Sequence, residues 1–128
     1  MTSRNPNDQS HRTVWVGLGL VLVTFLVYAR VLNCGFIDYD DPDYVTDNPQ
    51  VQNGLTFPGI VWAFSHVHSS NWHPLTWISH MLDCQLWGLD PRWPHLVNVA
   101  FHALNAVLLF LLLKKMTQAF WRSALVAA

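Results

Sequence analysis

Four aspartates crowd into six positions of this chain: Asp38, Asp40, Asp41 and Asp43. Carboxylates at that density can hold a cation, orient a polar substrate or, when one is kept from bulk water, take a proton as general base. The spacing superficially matches a calcium loop. It fails as one, because Pro42 takes the fifth place and Asp43 the sixth, where the EF-hand turn needs glycine. An acidic run is most simply a solvated surface loop. Here Phe36, Ile37, Tyr39 and Tyr44 interleave with the acids, and such side chains favour burial. A carboxylate at the lip of a membrane cavity fits that mixture. His66, His68, His73 and His80 form a second set. On an extended strand His66 and His68 would project the same way and could share a zinc ion, whereas on a helix they would diverge by about 160°. No HExxH pattern accompanies them, so zinc is the lesser reading. Adjacent aspartates can bind a divalent ion, although nothing in the pattern demands one.

The elements that must carry these residues are set by composition. The chain has 128 residues, 52% hydrophobic and only 12% charged, with seven Trp. A soluble domain of that size averages roughly 25% charged residues, and disorder is excluded in so apolar a chain. The net charge of −1 with scattered Lys and Arg argues against a nucleic-acid partner. Two apolar runs account for the excess. Residues 13–32 and 96–113 each contain twelve Leu, Val or Phe, and each such residue favours insertion by roughly 0.3–0.6 kcal/mol. About 20 helical residues cross the ~30 Å bilayer core. Arg30 lies near the end of the first run, where it can snorkel. A cleaved signal peptide is the rival reading of that run, but no polar region precedes Val27-Tyr28-Ala29 as expected at a cleavage site.

The sequence therefore predicts an all-α integral membrane protein. Residues 1–12 form a cytoplasmic tail, 13–32 the first transmembrane helix and 33–94 a long extracytoplasmic loop. Residues 95–113 form the second transmembrane helix, 114–118 a cytoplasmic loop and 119–128 the start of a third span, so the chain reads as the N-terminal piece of something longer. Arg4 and Arg12 precede the first span, and Lys114, Lys115 and Arg122 follow the second. The loop between holds only Arg92, which places both ends in the cytoplasm. All eight acids are Asp, and seven of them fall between Asp38 and Asp90, so the acidic chemistry is outside. Cys34 and Cys84 share that side, where a disulfide is chemically allowed, though two cysteines alone fix no geometry.

Within the loop, Pro42 disfavours helical geometry at Asp41, and Asp47-Asn48-Pro49 and Asn53-Gly54 signal turns. A helix is expected over 58–65, capped by Thr56, and another over 74–87, ending at Gly88. On the second, Leu75, Ile78, Leu82, Leu86 and Leu89 make an apolar stripe beside Thr76, Ser79, His80 and Asp83. Trp72, Trp77, Trp87 and Trp93 flank it, which suits short amphipathic helices in the outer interface. A small soluble subdomain is the alternative. In the second span His95, Asn98, His102 and Asn105 fall within an arc of about 80°. Such a stripe should face other helices or a cavity. Haem ligation by a lone His102 has little support.

A family resemblance runs through the same residues. It begins with Phe36-Ile37-Asp38-Tyr39-Asp40-Asp41-Pro42-Asp43-Tyr44-Val45, Asn48, Gly54-Leu55-Thr56 and Trp62-Ala63-Phe64. It continues with Asn71-Trp72-His73-Pro74-Leu75-Thr76-Trp77 and Ser79-His80-Met81-Leu82-Asp83-Cys84-Gln85-Leu86, and ends with His95-Leu96, Asn98, His102 and Asn105. Across 35–113 the chain resembles the start of bacterial multi-spanning proteins that carry C-terminal tetratricopeptide repeats. These are similar to the transmembrane and tetratricopeptide repeat-containing O-mannosyltransferases of eukaryotes.

The resemblance implies a fragment of a GT-C type fold in a bacterial inner membrane, with the loop in the periplasm. It implies transfer of mannose or another hexose from a polyprenyl-phosphate donor to a protein Ser or Thr hydroxyl. The acidic pair at the catalytic centre of such enzymes matches Asp40 and Asp41. Asp40 would be the general base and Asp41 would orient the acceptor or act as its carboxylate partner. His73 and Arg92 would contact the lipid phosphate. Partners would be membrane lipid, the lipid-linked sugar and an acceptor protein, with further protein partners held by repeats that this chain does not contain. Two complete spans are too few to enclose such a donor, so this portion alone is expected to be inactive. A non-catalytic membrane-anchored scaffold is the alternative, and a cation-binding transporter a third reading.

Overall fold

A computed structural model describes residues 6–128. The first five residues of the expected tail, Arg4 among them, lie outside the described residues. The chain is mostly helical, and among the described residues there is no strand, only an isolated bridge between His68 and Asn71. Six α-helices follow in order: α1 (Pro6–Val27), α2 (Pro49–Gln52), α3 (Phe57–Ser65), α4 (Pro74–Trp87), α5 (Arg92–Thr117) and α6 (Phe120–Ala127). A 3₁₀ segment, Ala29–Asn33, follows α1, and a single wide turn spans Pro42–Thr46. Helix α1 starts inside the expected tail, so residues 6–12 are already helical. The chain divides into two compact units, one of residues 31–96 and one formed by residues up to 30 together with 97–128.

The helical unit holds most of two segments long and apolar enough to cross a membrane. Asp8–Asn33 and Arg92–Thr117 are 26 residues each, and their most apolar 18-residue stretches have mean hydropathy 2.0 and 2.2. At 1.5 Å per residue either exceeds the ~30 Å core. The internal core is thin: Leu20, Phe110 and Ala127, with Val16, Val107, Phe120 and Ala124 against them. Phe110 and Phe120 meet edge-on at 5.5 Å. Outward, Leu18, Leu22 and Leu26 repeat at helical spacing and stay exposed, Leu22 at 60%. A continuous apolar stripe of that kind suits lipid as its solvent. On α5, Val99, Ala103 and Phe110 are buried, whereas Asn98, His102 and Asn105 are exposed. The polar stripe is therefore not what packs this unit; within it only His102 finds an aromatic neighbour, Tyr28, with ring centres 5.3 Å apart.

The second unit has a core of a different kind. Val51, Ala63, Trp77 and Met81 are fully buried together, with Tyr44, Trp62, Ile78 and Cys84 packed around them. Helices α2, α3 and α4 supply it, and each starts on a local signal. Asn48 Oδ1 accepts from Gln50 N (3.1 Å) and Thr56 Oγ1 from Gly59 N (3.1 Å), and each cap precedes a proline in the first turn. Helix α4 stops at Gly88, whose φ of +66° and ψ of −145° belong to a region open essentially to glycine.

Expectations are corrected at Trp77 and at Asp41. Trp77 does not sit at a membrane interface; it is 0% exposed at the centre of this core. The expected stripe divides: Ile78 packs against this core, Leu75, Leu82, Leu86 and Leu89 stay exposed, Leu75 at 73%, and Asp83 of the polar face is turned in. The larger aromatic surface won the interior, because its burial removes more apolar area from water than a leucine does. Asp41, expected to be extended before Pro42, is helical at φ −60°, ψ −34°. Its carboxylate accepts a hydrogen bond from Ile37 N at 2.7 Å, which offsets the steric cost imposed by the proline. Cys34 and Cys84 are both thiols, not a disulfide.

Candidate functional site

The acidic segment closes into a compact loop on its own backbone. Tyr44 N donates to Asp40 O (3.0 Å), and Asp47 N reaches back five residues to Pro42 O (2.9 Å), an i→i+5 turn of the kind often found at functional sites. The carbonyl of Asp43 accepts from Asn48 Nδ2 (3.2 Å) and from His68 Nε2 (3.0 Å). Beyond it, residues 68–71 form a two-residue hairpin turn. His68 and Asn71 exchange backbone hydrogen bonds of 3.0 and 2.9 Å around Ser69 and Ser70, both at positive φ. That turn pins the acidic loop: Ser69 Oγ donates to Asp43 Oδ2 (3.3 Å) and Asn71 Nδ2 to Tyr44 Oη (2.9 Å). Segments some 25 residues apart in sequence are thereby held as one structure.

Trp77 is the hub. Its ring lies 4.8 Å from Tyr44, 5.0 Å from His73, 5.4 Å from His68 and 5.5 Å from Trp62, centre to centre. On α4, His80 and Asp83 follow one turn later on adjoining faces. Four buried polar atoms here have no hydrogen-bond partner: His73 Nε2, Trp77 Nε1, His80 Nδ1 and Asp83 Oδ2. His80 Nδ1 and Asp83 Oδ2 are 3.9 Å apart, too far for a direct hydrogen bond. Burial holds the His80 imidazole below its ordinary pKa, with the Asp41 carboxylate opposing and His73 adding to the drop. Burial pushes the Asp83 carboxyl up to about 6. The Cys84 thiol is raised by burial and by the neighbouring Asp83.

The expected residues divide accordingly. Asp40 is exposed, and its carboxylate makes no hydrogen bond among the described residues, so it is open to an incoming group. Asp41 is half-buried, held by Ile37 N, and within electrostatic reach of His80. His73 is half-buried between Tyr44 and Trp77. Arg92 is elsewhere engaged: its guanidinium makes a two-point pair with Asp90 (2.5 and 3.1 Å), which lowers the Asp90 pKa. His66 and His68 do not converge. His66 Nδ1 is beside Ser65 Oγ and Trp62 O, while His68 reaches Asp43 O. Among the described residues no three His, Cys or Asp side chains gather where a metal ion could be held.

Sequence reading missed Asp83 and His80 as a perturbed pair. The signal was present as an acid and an imidazole three apart on a helix that also carries Trp77. Without knowing which face turned inward, they read as a solvated polar face. No family model, curated protein or solved structure matches this chain.

Proposed function

We propose that this chain forms the first two membrane spans and the periplasmic loop of a bacterial inner-membrane glycosyltransferase of GT-C type. It would transfer a hexose from a polyprenyl phosphate to a protein Ser or Thr hydroxyl. One observation carries the reading. The segments that bear the family resemblance, Asp40 to Tyr44, Asn71 to Trp77 and His80 to Asp83, meet around one buried tryptophan through Tyr44 and His73, and the first of them leaves the Asp40 carboxylate exposed. A merely solvated acidic loop has no need of the Asn71–Tyr44 and Ser69–Asp43 ties.

In this reading Asp40, open to solvent, accepts the acceptor hydroxyl proton as that oxygen attacks the anomeric carbon. The bond from that carbon to the lipid phosphate breaks, and the phosphate leaves with the electron pair. Asp41, fixed by Ile37 N, orients the acceptor. His73 Nε2 is unpartnered but buried and must be uncovered to meet a phosphate oxygen, and Arg92 must first leave Asp90. The alternative is a membrane-anchored scaffold whose loop binds a partner without chemistry.

The test uses the full-length protein in isolated membranes, a radiolabelled polyprenyl-phosphate hexose and a Ser/Thr-rich acceptor. Asp40→Asn should lower transfer by about 10²–10⁴-fold at unchanged expression. Unchanged transfer removes Asp40 as the base. Absence of transfer by the wild type, with the loop folded, favours the scaffold. Donor-independent, cation-dependent uptake would favour a transporter.

A further inference from the structure

At the basic end of the helical unit, charge and groove shape coincide. The Arg12 guanidinium lies over Phe120 (5.4 Å) and Trp121 (5.5 Å). Lys114 Nζ donates to Thr13 Oγ1 (2.6 Å) and lies 5.8 Å from the Phe120 ring centre. Among the described residues no carboxylate pairs with either cation. Stacking on aromatic faces leaves the in-plane donors of a guanidinium available. Beside Arg12 is a recess of about 50 Å³ lined by Gln9, Arg12, Phe120 and Trp121.

An apolar groove of about 560 Å³ adjoins it on the same helices. Trp15, Val16, Gly19 and Val23 of α1 form one wall, and Trp121 and Leu125 of α6 form the other. Trp15 and Trp121 stand near its charged end, exposed at 71% and 64%, as tryptophans do at headgroup level. The cations Arg12 and Lys114 lie at its Trp15–Trp121 end, beside the ring of Phe120.

We propose that this groove binds one anionic phospholipid, with an acyl chain between α1 and α6 and its phosphate on Arg12, assisted by Gln9 and Lys114. The occupant follows from charge complementarity at Arg12 together with the apolar lining beside it. A zwitterionic lipid sets its quaternary ammonium against Arg12 and Lys114, and a soluble anion leaves the groove empty.

Native mass spectrometry of the purified chain in zwitterionic detergent tests this with phosphatidylglycerol, phosphatidylcholine of the same acyl chains, and glycerol phosphate. Phosphatidylglycerol should bind about fivefold more tightly than phosphatidylcholine, the effect of roughly one cation at a membrane surface. Arg12→Gln should abolish that preference, and Arg12→Lys should keep part of it. Gly19→Leu should weaken both lipids alike, since nothing lies within 4 Å of a Cβ there and the leucine projects into open space. Helicity by circular dichroism confirms that each variant is folded. Equal binding of the two lipids by wild type, or an unchanged preference in Arg12→Gln, overturns the proposal. So does full displacement of phosphatidylglycerol by an equal concentration of glycerol phosphate, which marks an ion site. A stable dimer that neither lipid displaces also overturns it, placing a second copy in the groove.

Discussion

The two units of this chain solve the same problem, an excess of apolar surface, in opposite ways. Residues 31–96 bury Val51, Ala63, Trp77 and Met81 completely and turn several leucines outward. The helical unit buries Leu20, Val99, Ala103, Phe110 and Ala127, of which only Phe110 is large and fully enclosed, and leaves its longest apolar stripe uncovered. In the first, tertiary contacts between distant segments create the interior. In the second, two helices are long and apolar enough to take their surroundings from a bilayer, and helix formation satisfies the backbone without help from neighbours. Burial within the chain therefore measures importance in one unit and says little about it in the other.

The sharpest way to break that contrast is to truncate one apolar side chain in each. Trp77→Ala should cost the loop unit about 3–5 kcal/mol and unfold it, seen as rapid proteolysis between Asp38 and Leu75. Leu22→Ala, equally apolar but exposed on α1, should change insertion by less than about 1 kcal/mol, measured by alkaline extraction of membranes. Equal sensitivity of both would mean that the helical unit relies on packing after all.

A smaller effect concerns charge inside the loop unit. The Asp83 pKa is raised to about 6 from 3.8, so this group favours the fold when neutral. Its contribution is fully present below about pH 4 and is lost as pH rises through about 6. Asp83→Asn should thus be more stable than wild type by roughly 1–2 kcal/mol at pH 7, after allowance for solvent screening. The gap should close near pH 4. His80, whose pKa is lowered by burial, works the other way: its contribution is present above about pH 6.5 and falls away on acidification. The variant should therefore lose stability on acidification more steeply than wild type. Urea unfolding of the loop unit at pH 4, 5.5 and 7 measures this, and parallel curves would remove the buried-acid account.

The smallest effect is local. Thr56→Ala removes the cap on Gly59 N and should cost about 1 kcal/mol. Hydrogen exchange should quicken in the first turn of α3 while α1 is untouched. Exchange that quickens throughout both units would show that they unfold as one.

Much of the fold was legible because its signals are local. Thr56 with Pro58 announces α3, and Pro74 with Gly88 brackets α4, since caps and terminators act through neighbouring backbone. Two runs of about 20 apolar residues announce the spans through composition alone. Asp40 and Asp41 were legible as a candidate site through residue type and family resemblance. His80 was legible as a candidate by residue type, but Asp83 and its placement beside His80 were not, because they depend on which face of α4 turns inward. Neither was the helical geometry of Asp41, which rests on a hydrogen bond from Ile37 that overrides the local preference set by Pro42.

The sequence by itself determined where helices start and stop, which segments are apolar enough to meet lipid, and that the acids cluster between the two spans. Those are properties of neighbouring residues and of summed transfer free energy. Only the tertiary structure decided that Trp77 is core and not interface, that the Asn71 turn holds the acidic loop, that Asp83 is buried, and that Arg12 caps a groove between α1 and α6. Each depends on which of several apolar or polar faces meets another segment. That choice is set by packing between residues far apart in the chain, and no local rule encodes it.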